Sequence, residues 1–286
     1  MGRELVLVGI GAGDPEWVTI EAVHAIERLD VLFVVVKEDG LDDLVEIRRV
    51  LVERYRKTPL RTVELHDPPR PWRSAPEYPA AVAQWREQRR LQWDAALAAE
   101  LGEGQMGGFL VWGDPSLFES TLAIAHELVA ASTEPVDLRV VPGVSSVHAL
   151  TARHRIPLNR QGRAVQIMPA RLLADGMPDG VDDVIVMLDG RQAFATIDPD
   201  GLDIYWGAYL GTPDQILIGG ALDEVRGEIL SVRAEALARK GWVFDTYLLR
   251  RRLSAAPKRG KRSHEPVADD GARHPNPDPG GTQPRE

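Results

Sequence analysis

Two turns carry most of the chemistry that can be read from the chain. Gly9, Gly11 and Gly13 alternate through Gly9-Ile10-Gly11-Ala12-Gly13-Asp14-Pro15, directly after the apolar run Leu5-Val6-Leu7-Val8. Glycines at that spacing let the backbone turn sharply and bring its N–H groups against a ligand, because no Cβ intervenes. A second Gly113-Asp114-Pro115 follows the run Phe109-Leu110-Val111-Trp112. A dinucleotide fingerprint would need a G-x-G-x-x-G that opens straight into a helix, with an acid about 20 residues on. Here the third glycine comes one position early, Asp14-Pro15 delays the helix, and Asp30 closes the first helix instead of the second strand. The first turn alone leaves open a nicotinamide-dependent oxidoreductase, a non-catalytic nucleotide sensor and a tight turn with no ligand.

Other residues suited to chemistry are carboxylates, one histidine and arginines. Asp14, Asp114, Asp189 and His66 are available as general bases. No His/Asp/Glu cluster has metal-ligand spacing. Arg70 and Arg73 sit with Trp72 and Tyr78 in a stretch punctuated by Pro68, Pro69, Pro71, Pro76 and Pro79, which forbids a regular element. Arg86, Arg89 and Arg90 follow on a long helix, and Arg153, Arg155, Arg160 and Arg163 form a second cluster. Guanidinium groups bind carboxylates bidentately, and their plain alternative is a solvated surface.

The elements that must position these groups follow from periodicity. Apolar strands at 4–9, 31–36 and 61–65 alternate with helical patterns at 17–30 and 41–55, with Thr19 as an N-cap. That alternation predicts a parallel sheet with crossover helices. A helix at 80–101 leads to a strand at 107–112 and a helix at 119–131, then a strand at 138–141 ending at Pro142-Gly143-Val144-Ser145-Ser146. Later strands are expected at 164–168, 184–188, 204–210 and 243–249, with short pieces at 215–217 and 228–232. The expected division is 1–115, 116–253 and a tail at 254–286, whose Pro/Gly-rich composition cannot bury enough apolar surface to order itself.

The bulk numbers exclude several classes. With 286 residues and 44% hydrophobic content the chain can bury a large core. A net charge of −9 argues against nucleic-acid binding through general phosphate neutralisation. The chain has no cysteine, so disulfides and thiolate chemistry are excluded. No apolar run approaches the roughly 20 residues of a membrane span, and no signal segment precedes the first strand. A cytoplasmic protein is the expectation.

Taken together, five segments resemble the tetrapyrrole methyltransferase family in order and spacing. They are Gly9 to Pro15 with Thr19, Gly113-Asp114-Pro115 with Phe118, Val141 to Ser146, Met187, and Gly211-Thr212-Pro213 with Gln215. Many members carry proline at the position of Ala12. The resemblance implies two α/β domains with the active site in the cleft between them, and S-adenosylmethionine as cofactor. It implies cofactor contacts at Gly113, Asp114, Leu117, Ser145, Ser146 and Met187, and among Ala208, Gly211 and Thr212. It sets the first turn, through Gly11 and Gly13, against a tetrapyrrole substrate. Arg70 and Arg73 are then candidates for the substrate's carboxylates, and Asp14 is the candidate base. The nearest branch methylates C1 of precorrin-5 and releases its acetyl group. The alternatives are another precorrin carbon or the oxidoreductase. A homodimer is a further implication of the resemblance.

Overall fold

The computed structural model describes residues 2–36, 42–68 and 78–252. The expected tail at 254–286 and the expected Arg70 and Arg73 contacts lie outside the described residues.

The first sheet is parallel, with strands β1 (Arg3–Gly9), β2 (Val31–Val36), β3 (Arg61–His66), β4 (Met106–Val111) and β5 (Val136–Val141) in the order β3-β2-β4-β1-β5. Its helices are α1 (Ile20–Arg28), α2 (Asp42–Tyr55), α3 (Tyr78–Glu100) and α4 (Thr121–Ala131). Leu5 to Val8 are fully buried because the sheet is covered on both faces. Leu5 and Leu7 meet Trp93 and Leu97 of α3 and Ile124 and Leu128 of α4. Val6 and Val8 meet Ala22 and Ile26 of α1 and Leu51 of α2. Each such side chain contributes roughly 1.5–3 kcal/mol on leaving water. Thr19 caps α1 as expected, its hydroxyl accepting from Ala22 N–H at 3.1 Å.

β1 and β4 are neighbours, yet the helices that follow them, α1 and α4, go to opposite faces. That divergence opens a crevice at the carboxyl ends of the two strands, where α/β sheets bind ligands. Both glycine turns lie there.

The second sheet is mixed. Its strands β6 (Val165–Pro169), β7 (Asp183–Met187), β8 (Leu202–Ala208), β9 (Ile216–Ala221) and β10 (Asp245–Arg251) run in the order β6-β7-β10-β8-β9. β6 and β7 are parallel and the other pairs antiparallel. Helix α5 (Ser146–His154) packs on one face through Val147 and Leu150. Helix α6 (Leu222–Lys240) packs on the other through Ile229 and Ala236.

Two sequence expectations meet a different arrangement. The segment 228–232 is the middle of α6 and not a strand piece. Leu222, Val225, Ile229 and Ala236 share its packed face, and the intervening charged residues obscured that 3.6-residue period. The expected boundary at 115 falls inside the first sheet's chain, since β5 pairs with β1 along Arg3–Val8.

Candidate active site

The turns after β1, β4 and β5 interlock. Gly11 N–H donates to Gly113 O at 3.2 Å and Gly113 N–H donates to Gly11 O at 2.8 Å, an isolated antiparallel bridge. Asp114 ties in the third turn: its Oδ2 accepts from Gly143 N–H at 2.9 Å, and its Oδ1 accepts from Ser116 N–H at 2.8 Å and from the Ser116 hydroxyl. Burial would raise the Asp114 pKa, but the bonds from Ser116 and Gly143 prevail and hold it below the ordinary aspartate value. The approach is close enough that a Cβ on Gly143 would lie 2.1 Å from Gly113 O. On its other side the first turn meets the second half of the chain. A Cβ on Gly13 would lie 2.7 Å from Leu210 O, and one on Gly211 2.7 Å from Asp14 N.

A cavity of about 750 Å³ opens beside this junction. Ala12, Gly113, Asp114, Leu117, Phe118, Ser145 and Ser146 line it from the first half, and Met187, Leu188, Tyr209, Thr212, Phe244 and Thr246 from the second. Phe118, Leu188 and Tyr209 hold φ of +51°, +58° and +50°. Bulky residues rarely adopt the left-handed region, and such strain gathers at ligand sites. Gly113, at φ +70°, is different from its neighbours: a Cβ there would meet no atom within 4 Å.

Charge is divided across the cavity. On the first-sheet side, Arg48 donates from Nε to Leu110 O at 2.8 Å. Its burial pulls the guanidinium pKa down against the attraction of Glu119. Arg89 lies 2.7 Å from the Asp67 carboxylate, donates to Ser120 Oγ at 3.1 Å, and stacks near Trp85 and Trp93. On the second-sheet side, Asp189 accepts from Tyr247 OH at 2.7 Å and from Ala193 N–H at 2.8 Å. Arg233 links the two residues, donating from Nη2 to the Asp189 backbone carbonyl and from Nε to Asp245 Oδ2, both at 2.9 Å. Burial pushes the Asp245 carboxyl above the ordinary value, against Arg233 and Trp206. Burial, reinforced by Asp189, raises the Tyr247 hydroxyl.

Of the expected cofactor contacts, Gly113, Asp114, Leu117, Ser145, Ser146, Met187 and Thr212 come together on this cavity. Ala208 is fully buried in the second core, and Gly211 is wedged between Asp14 and Trp17. From the first turn only Ala12 is a wall residue; Gly11 and Gly13 are buried against backbone. Asp14 caps the single turn Pro15–Trp17 through Glu16 N–H at 2.9 Å and faces Arg153 at 3.6 Å. It is not a wall residue. His66 is exposed near Glu64. Arg86, Arg90, Arg160 and Arg163 engage Glu127, Glu87, Asp183 and Asp182. Residues the sequence did not single out as cavity walls are Arg48, Tyr209, Trp242, Phe244, Asp245 and Thr246. They arrive through sheet register and packing, and no local motif marks them.

Comparison with known proteins identifies the family. The model of the Tetrapyrrole (Corrin/Porphyrin) Methylases matches residues 4–226. Precorrin-6A synthase [deacetylating] of Sinorhizobium sp is 42% identical over 250 residues, 87% of this chain and 95% of that protein. A crystal structure of a cobalamin synthesis related protein (CobF) from Corynebacterium diphtheriae superposes with a TM-score of 0.75 at 29% identity, covering 88% of this chain and 99% of that one. The uroporphyrin-III C-methyltransferase of Thermus thermophilus, solved with S-adenosylhomocysteine, shares the fold at 20% identity and a TM-score of 0.55, over 86% and 96% of the two chains. The chain belongs to the tetrapyrrole (corrin/porphyrin) methylase family.

Proposed function

We infer that this chain is an S-adenosylmethionine-dependent C-methyltransferase that methylates C1 of precorrin-5 and releases the acetyl group as acetate, giving precorrin-6A. The observation that carries this reading is the 42% identity to precorrin-6A synthase [deacetylating] across 95% of that protein.

The cavity suits the cofactor. Gly113 presents open backbone, Ser145 and Ser146 stand at the start of α5, and Met187, Tyr209 and Phe244 add apolar surface. When bound, S-adenosylmethionine supplies a sulfonium methyl that is already electrophilic. The protein's task is therefore to align a ring carbon with it and exclude water, and orientation of this kind supplies up to about 7–11 kcal/mol. Gly113, Leu117, Ser145, Ser146, Met187 and Thr212 would hold the cofactor, and Asp114 would fix the turns that carry Gly113, Leu117 and Ser145. Arg48 and Arg89 stand on the first-sheet side of the cavity, each already paired with an acid, Arg48 near Glu119 and Arg89 with Asp67. Acetyl loss requires attack by water on a carbonyl, and hence a general base. A dinucleotide oxidoreductase is disfavoured because the first glycine turn is filled by Trp17, Leu210 and Gly113, with no open helix start for a pyrophosphate. A cytoplasmic homodimer belongs to the same reading, and light scattering checks its mass.

The direct test is an anaerobic incubation with labelled S-adenosylmethionine and precorrin-5. Methylated tetrapyrrole and acetate in equal amount are expected. Methylation without acetate would move the substrate assignment to another precorrin carbon, and no product at all would overturn the reading.

A further inference from the structure

Asp245 lines the cavity with one oxygen occupied and the other not. Both protein donors that reach its side chain go to Oδ2: Trp206 Nε1 at 3.0 Å and Arg233 Nε at 2.9 Å. Among the described residues no group donates to Oδ1, and the side chain, a wall of the cavity, is only 3% exposed. An ionised carboxylate has acceptor capacity on both oxygens, so Oδ1 keeps its capacity for a donor in the cavity. Arg233 is itself anchored on Asp189 O at 2.9 Å. The carboxylate is thus held in one orientation, with its charge compensated on the Oδ2 side.

Its surroundings narrow the ligand. Trp242 meets Tyr209 edge-on, ring centroids 5.0 Å apart at 80°, and Phe244 at 4.8 Å and 61°. All three line the same cavity as Asp245. An aromatic wall beside a single fixed acceptor suits a planar heterocycle bearing an N–H donor. It does not suit a carboxylate, which would face both Asp245 and Asp189. We propose that Asp245 Oδ1 accepts a hydrogen bond from the exocyclic amine of the cofactor's adenine, so that this residue selects an amino-purine over a 6-oxo-purine. This rests on the cofactor reading given above.

Titration calorimetry with S-adenosylhomocysteine and S-inosylhomocysteine tests this without catalysis. The second ligand replaces the amine by a carbonyl oxygen, which would face Oδ1. The unaltered protein should bind S-adenosylhomocysteine about ten- to a hundredfold more tightly, the range for a hydrogen bond to a charged group. Asp245→Asn can keep its oxygen toward Trp206 and Arg233 and turn its amide N–H₂ to the cavity, so the preference should narrow or invert. Equal binding of the two ligands by the unaltered protein overturns the assignment with no variant needed, while leaving the cofactor reading intact. An Asp245→Asn protein that melts as a folded species and keeps the original preference overturns it as well. Failure of the unaltered protein to bind S-adenosylhomocysteine would sink the cofactor reading and the assignment together.

Discussion

The two Gly-Asp-Pro turns look alike in sequence and do different work in the fold. The first, Gly9 to Pro15, is a buried buttress: Gly11 bonds to Gly113, Gly13 abuts Leu210, and Trp17 closes the remaining side. The second, Gly113 to Pro115, is the open one, with a cavity in front of Gly113 and Asp114 bracing it from behind. Glycine is required in both, but for opposite reasons. In one there is no space for a side chain, and in the other the backbone is left-handed and faces an open cavity. What separates them is the third partner, the turn at 209–212 of the second sheet, which covers only the first.

Substitutions can break or sharpen that contrast. The largest effect is expected for Gly143→Ala, whose Cβ would meet Gly113 O at 2.1 Å and Gly9 backbone at 2.8 Å. A loss of about 3 kcal/mol in urea unfolding is expected, and an unchanged midpoint would show that the three turns are not locked. Gly113→Ala should cost stability only about 1–2 kcal/mol, for the left-handed backbone. Its effect on S-adenosylhomocysteine affinity should be larger, since the new methyl enters the cavity. A variant that loses stability but binds normally would put the ligand elsewhere.

Asp114→Asn should cost a comparable amount, about 1–2 kcal/mol, and it carries a pH signature. The folded pKa is held below the ordinary value of 3.8. The native carboxylate therefore contributes stability that is fully present above that value and is lost as pH falls through the folded pKa. The stability gap between wild type and Asp114→Asn should accordingly shrink on acidification below about pH 4. A gap that widens there would contradict the bonding described. The smallest effect is expected for Asp14→Asn, which removes a partly exposed ion pair with Arg153 worth under about 1 kcal/mol. Acetate release should stay within a few-fold of wild type. A collapse of acetate release with normal cofactor binding would instead return Asp14 to the role of base.

Much of this arrangement is legible in the chain. The parallel first sheet, its helices and the Thr19 cap follow from apolar period and capping chemistry, which act over a few residues. The convergence of Gly113, Leu117, Ser145, Met187 and Thr212 was accessible through the order of five short segments. Local signals are weak in α6, where charged residues between the packed positions give 228–232 the look of a strand.

By itself, then, the sequence determined the element types, the strand-turn-helix units and the set of turns that meet at one end of the first sheet. Those properties depend on neighbours three or four positions apart, so periodicity records them. Only the tertiary structure decided which glycine turn is filled and which is open, because that depends on Leu210 and Gly143 arriving from distant segments. It also decided that Asp245 reaches the cavity at all. That residue's place comes from β10 pairing with β7 and β8 and from Arg233 of α6, contacts that no stretch of sequence contains.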